Sequence, residues 1–199
     1  IPEEYGGLGL DAMSAAIARE ALAARGTDAG LMLSWGAHLV ICAIPIWKCG
    51  NEEQRQKYLP RLASGEWVGA FALTEPHTGS DAAGLRPRAE KRGDHYVLNG
   101  SKMFITNGPI ADVLLVFAIR DKSKGRNGIS AFIVAKGMKG FHVARALDKL
   151  GQRASPTGEL YFDDCLVPAE NLVGREGEGF TRVAQVTLEW ERSLLIAPI

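Results

Sequence analysis

The sequence predicts an α+β chain in three blocks. A helical bundle segment covers 1–66, an antiparallel β-barrel or sandwich covers 67–170, and a second helical bundle starts over 171–199. Three observations predict this. Residues 12–25 are alanine-rich, and two more helical runs follow before residue 66. Near Trp67 the pattern changes to short apolar runs cut by Gly, Asn, Asp and Pro. A helical pattern returns at about Gly179.

The helices carry their own start and stop signals. Asp11 is a good N-cap for Ala12–Arg25, and Gly26 stops that helix. A second helix covers Ala29–Lys48, bent or ended near Pro45. Asn51 caps a third, Glu52–Ala63, with Gln54 in capping-box position and Gly65 at its end. Tyr5-Gly6-Gly7-Leu8-Gly9-Leu10 has no strand before it and no lysine in P-loop spacing, so it reads as a loop before a cap. The predicted strands are Trp67–Thr74, Arg86–Lys91, His95–Leu98, Ser101–Thr106, Asp112–Arg120, Ser130–Ala135 and Glu159–Leu166. Arg92-Gly93-Asp94 and Asn99-Gly100 fit antiparallel hairpins. Residues 122–128 read as an exposed loop. No Gly-x-Gly-x-x-Gly follows a strand, so a Rossmann site is not supported.

The totals exclude several classes. The chain has 199 residues, 46% hydrophobic and 23% charged, with a formal net charge of zero. That is a soluble globular composition, and its balance argues against a nucleic-acid partner or an anionic membrane surface. The apolar run Leu31–Trp47 contains Ser34, His38 and Pro45 and is at the short limit for crossing a bilayer, so it reads as a buried bundle helix. Cys42, Cys49 and Cys165 form no Cys-x-x-Cys pair and are odd in number, which indicates reduced thiols and an intracellular protein. The four histidines lack metal-ligand spacing, so no metal is expected. The first seven residues read as mid-chain sequence, and Ala197-Pro198-Ile199 falls in or just after an apolar helix, which suggests a fragment.

Two stretches carry the chemistry. The run Trp67–Leu73 ends abruptly in Thr74-Glu75-Pro76 and then a Gly79-Ser80-Asp81 turn. Such a strand end presents hydroxyls and free N–H groups that can hold a phosphate or a polar ring edge. The second stretch, Asn99-Gly100-Ser101-Lys102-Met103-Phe104-Ile105-Thr106-Asn107-Gly108, likewise ends a short strand in threonine beside turn residues. Together they closely resemble the acyl-CoA dehydrogenase flavoprotein family. That family's third motif follows at Gly151-Gln152-Arg153, Phe162–Pro168 and Glu170-Asn171-Leu172. Thr78 departs from the pattern: the family usually has Gly or another very small residue there, and a β-branched side chain restricts φ in that turn.

The resemblance implies an FAD bound between the β-domain and the helices after it. It implies that Phe71, Ala72, Leu73 and Thr74 pass along the flavin ring, with Thr74 on its pyrimidine side. Ser80 matches a residue touching the cofactor pyrophosphate and the acyl-CoA. Phe104, Ile105 and Thr106 match the strand at the other edge of the ring, with Thr106 facing N5. Dehydrogenating a thioester at its α and β carbons also needs a base. In Glu189-Trp190-Glu191-Arg192, Glu189 and Arg192 share a helix face, while Glu191 points away among apolar neighbours. An apolar pocket raises a carboxylate's pKa toward the range useful for proton abstraction. By resemblance to the isovaleryl-CoA type, Glu191 is the base, and Glu189 and Arg192 contact the CoA portion. Most family members carry the base further downstream, beyond Ile199, so that alternative stays open here. The family also implies an electron-transfer flavoprotein as partner, a homotetramer, and a bacterial cytoplasm or mitochondrial matrix. A related oxidase, a flavin monooxygenase of the same fold, and a non-catalytic scaffold are the other readings.

Overall fold

The structure, a computed structural model, describes residues 1–26, 28–188 and 190. Helix α1 (Ala12–Ala24) starts on Asp11, whose carboxylate accepts from Ser14 N–H. Helix α2 (Ala29–His38) continues through a π turn, Leu39–Ala43, into α3 (Ile44–Cys49). The expected disturbance near Pro45 is therefore a widened turn just before it, which relieves the clash of the proline ring with the carbonyl four residues back. The continuous helix Ala29–Cys49 is long and apolar enough to cross a membrane by composition, but half of its most apolar window is buried. Val40, Cys42, Ala43, Ile44 and Ile46 all lie in the core. Helix α4 (Glu52–Ala63) has the full capping box: Asn51 accepts from Gln54 N–H, and Gln54 Oε1 accepts from Asn51 N–H.

One mixed sheet of eight strands follows: β1 (Gly69–Ala72), β2 (Arg88–Arg92), β3 (His95–Thr106), β4 (Val113–Ile119), β5 (Ile129–Ala135), β6 (Phe141–Ala146), β7 (Thr157–Pro168) and β8 (Leu172–Val173). The order is β6-β7-β3-β2-β4-β5-β8, with β1 on β4. Most pairings are antiparallel, but β1–β4 and the short β2–β4 contact are parallel. The β2–β3 hairpin turns at Gly93-Asp94, as expected.

The Asn99-Gly100 hairpin is corrected. Both residues lie inside β3, which runs twelve residues against β7, and the register only slips between Leu98 and Gly100. Gly100 has φ 141°, and an added Cβ would meet Pro87 at 2.8 Å, so the glycine serves a bulge rather than a turn. Strand β6 is an addition: five of its six residues are exposed, so it carries no apolar alternation to read.

Two apolar clusters flank the sheet. One joins α3, α4 and the outer side of β1, β4 and β5 through residues such as Ile46, Tyr58, Leu59, Leu115 and Phe117. The other fills the inner side with Ala72, Tyr96, Leu98, Leu114, Phe132 and Phe162. A π turn, Gly179–Val183, leads into helix over 184–188. Trp190 packs beside Val40 and Ile44, which ties this last helix to the N-terminal helices.

Candidate functional site

The site is built where β1 runs out. β1 pairs with β4 from Gly69↔Val113 to Ala72↔Val116, and its other edge meets the C-terminal half of β3. Thr74 C=O accepts from Met103 N–H at 2.9 Å, and Leu73 C=O accepts from Lys102 Nζ at 2.9 Å. Gly69 C=O accepts from Asn107 Nδ2 at 3.0 Å. The two threonine-tipped segments therefore run antiparallel along one seam, with Thr74 and Thr106 toward its opposite ends. Helix α2–α3 lies directly against β1: a Cβ on Gly69 would sit 2.9 Å from Cys42 Sγ. His38 reinforces that contact. Its Nδ1 accepts from Gly69 N–H at 2.9 Å and its Nε2 lies 3.0 Å from Leu62 C=O, which selects the neutral Nε2–H tautomer. Burial lowers the His38 pKa, in keeping with that form, while the Leu62 carbonyl pulls the other way.

Along the seam the candidate residues divide by what they can offer. The Phe71 ring packs on Phe117 with centroids 4.8 Å apart, Ala72 and Ile105 are buried, and Leu73 packs on the core. These four present backbone rather than side chain. Thr74 and Thr106 are half-buried, and Thr106 stands opposite Thr157 of β7. The Thr74 N–H finds no acceptor among the described residues. Ser80 is exposed, two residues past a tight Glu75–Thr78 turn closed by reciprocal backbone bonds of 3.0 and 3.2 Å. Thr78 is accommodated there without positive φ, and its buried Oγ1 has no hydrogen-bond partner among the described residues. Among the described residues, the segment just after β1 thus carries two polar atoms without a partner.

Phe104 is the most unusual residue of the seam. It is 60% exposed, it has φ 58°, and it sits where the β3–β7 register breaks between Lys102 and Ile105. A left-handed non-glycine residue costs roughly 1–2 kcal/mol. Such strain persists where the surroundings over-determine it, and it concentrates at functional sites.

Three supporting residues were not legible as such. Lys102 and Glu75 form a buried ion pair at 2.8 Å, their side chains 0% and 2% exposed. Burial lowers the Lys102 ammonium pKa, and Glu75 works against that shift. Glu75 Oε2 also accepts from Arg86 N–H. Asn107, fully buried with φ 62°, donates to Ser34 C=O and Gly69 C=O and accepts from the Ser34 hydroxyl, so one side chain joins α2, β1 and β3. Glu75 is 27 positions from Lys102 and Ser34 is 73 from Asn107, so neither partnership leaves a local pattern. Glu189, Glu191 and Arg192 lie outside the described residues.

Known proteins match this arrangement over nearly the whole chain. Residues 1–66 match the family model described as acyl-CoA dehydrogenase, N-terminal domain, and residues 70–165 the one described as acyl-CoA dehydrogenase, middle domain. A short-chain specific acyl-CoA dehydrogenase of Clostridium acetobutylicum is 50% identical over 190 residues, which is 96% of this chain and 49% of that protein. A mitochondrial isovaleryl-CoA dehydrogenase of Arabidopsis thaliana is 47% identical over 196 residues, 98% of this chain and 47% of that one. Among solved structures, an acyl-CoA dehydrogenase from Bacillus anthracis complexed with FAD superposes with a TM-score of 0.89 at 44% identity, covering 98% of this chain and 33% of that one. The chain spans about half the length of the curated relatives it matches.

Proposed function

Since the chain belongs to the acyl-CoA dehydrogenase family, we propose that the whole protein dehydrogenates the α and β carbons of a short branched acyl-CoA, of the isovaleryl type, with FAD as cofactor. The observation that carries this reading is the seam itself: a Thr74 N–H just past β1 that finds no acceptor among the described residues, and a strained, outward Phe104 on the strand beside it. These residues fit a planar ring with a polar edge. FAD, when bound, supplies the hydride acceptor that no side chain can provide. Leu73, Thr74, Phe104 and Thr106 would hold it, and the exposed Ser80 hydroxyl would meet its pyrophosphate.

The chain's own residues then divide the work. Glu191 takes the α-proton of the thioester as general base. Glu189, Arg192 and Ser80 bind the CoA portion. Phe104 would cover the ring and keep water out, which would strengthen the polar contacts beneath it. An electron-transfer flavoprotein takes the electrons, and the enzyme works as a homotetramer. The names of the relatives support both a short-chain and an isovaleryl substrate, and the isovaleryl reading rests further on the position of Glu191.

The test is the Glu191→Gln variant of the full-length protein. Turnover falls at least 10²-fold while acyl-CoA still binds, the usual loss for a removed general base. Full turnover in that variant would move the base elsewhere. Rapid reaction of the reduced protein with oxygen, in place of electron-transfer flavoprotein, would make it an oxidase.

A further inference from the structure

The buried pair of Lys102 and Glu75 has no role in the chemistry just described, yet it touches the peptide on which that chemistry leans. Lys102 Nζ donates to Leu73 C=O at 2.9 Å and to Glu75 Oε1 at 2.8 Å. A trans peptide points its N–H opposite to its C=O. The Leu73 carbonyl is drawn in toward the buried ammonium, so the N–H of the same peptide unit, that of Thr74, is turned outward. Met103 N–H holds the next carbonyl, that of Thr74, at 2.9 Å. The carbonyls on either side of the Thr74 Cα are thereby held, which limits rotation of the Leu73–Thr74 peptide and keeps its N–H outward.

The contact is also electrostatic. A full positive charge on the carbonyl polarises the peptide and makes its N–H a stronger donor, and low local dielectric enhances this. Glu75 supplies the counter-charge that lets Lys102 stay charged while fully buried. Glu75 is itself held by Arg86 N–H at 2.9 Å and by its own backbone turn with Thr78. We infer that Lys102, clamped by Glu75, is a positioning residue that aims and strengthens the Thr74 N–H toward the flavin ring, and so sets flavin affinity and reduction potential. This inference rests on the flavin reading above.

The experiment compares full-length wild type with Lys102→Gln, which removes the charge, and Lys102→Arg, which keeps it. FAD affinity, the flavin spectrum and the midpoint potential are measured on folded protein. The Gln variant binds FAD about tenfold or more weakly, the size of one lost charge-assisted bond. Its midpoint potential moves negative, because reduced flavin gains less from a weaker donor, and the Arg variant recovers toward wild type. Where neither Lys102 variant folds, Glu75→Gln decides: without the carboxylate the buried ammonium gives up its proton, the contact on the Leu73 carbonyl weakens, and FAD affinity and midpoint potential fall as in Lys102→Gln. A purely structural pair would lower thermal stability and leave spectrum and potential where they were, and that result overturns the inference. Wild-type protein that takes up no FAD would instead overturn the flavin reading.

Discussion

Asn107→Ala should be among the costliest single substitutions in the chain. The wild-type side chain makes three hydrogen bonds from a fully buried position, two from Nδ2 at 2.9 and 3.0 Å and one accepted from the Ser34 hydroxyl. Each contributes about 1 kcal/mol net, so their loss costs about 3 kcal/mol. At φ 62° asparagine is tolerated and alanine is strained, which adds about 1 kcal/mol. The sum, about 4 kcal/mol, is a large part of the roughly 5–15 kcal/mol that holds a domain folded. Urea unfolding of the purified protein, followed by far-UV circular dichroism, measures it. Asn107→Asp sharpens the test. Its carboxylate would face the Ser34 and Gly69 carbonyls unpaired, so the variant is destabilised at neutral pH. It recovers stability as the pH falls and a proton lets that oxygen donate. An Asn107→Ala variant within about 0.5 kcal/mol of wild type would refute the claim that this residue joins α2 to the seam.

Other outcomes follow from the same geometry. His38 is held neutral, with its pKa lowered by burial. As the pH falls below about 6.5, the ordinary value of an exposed histidine, the unfolded chain takes up a proton before the folded one does. Stability is therefore full above that pH and lost below it, and His38→Gln should flatten this acid limb in a pH series of unfolding midpoints. Phe104→Gly relieves a left-handed backbone at an exposed position, so stability should hold or rise by up to about 1 kcal/mol while FAD affinity falls. A Phe104→Gly variant that binds FAD as wild type does would remove the ring-covering role.

Much of this architecture was legible because its signals are local. Asp11 and the Asn51–Gln54 box mark helix starts by hydrogen bonds spanning three residues, and each stands where expected. The two threonine-tipped strand ends were legible as motifs, and they lie along one seam. What escaped depends on partners far along the chain. Asn99-Gly100 carries a hairpin signature, but β7 pairs with both halves of β3 and converts the turn into a bulge, with Asn99 exchanging bonds with Asp164. The β6 strand was missed because an edge strand exposed on both faces has no apolar period. Burial of Lys102 was invisible for the same reason as the bulge: only the fold supplies Glu75.

On the proposed reading, the seam between β1 and β3 holds a flavin that an acyl-CoA reduces. Anaerobic titration of the purified full-length protein with a panel of acyl-CoA thioesters, watching the visible flavin absorbance, tests it most directly. A short branched thioester such as isovaleryl-CoA should bleach the flavin stoichiometrically, with weaker response to long straight chains. Flavin-loaded protein that no acyl-CoA bleaches would contradict it.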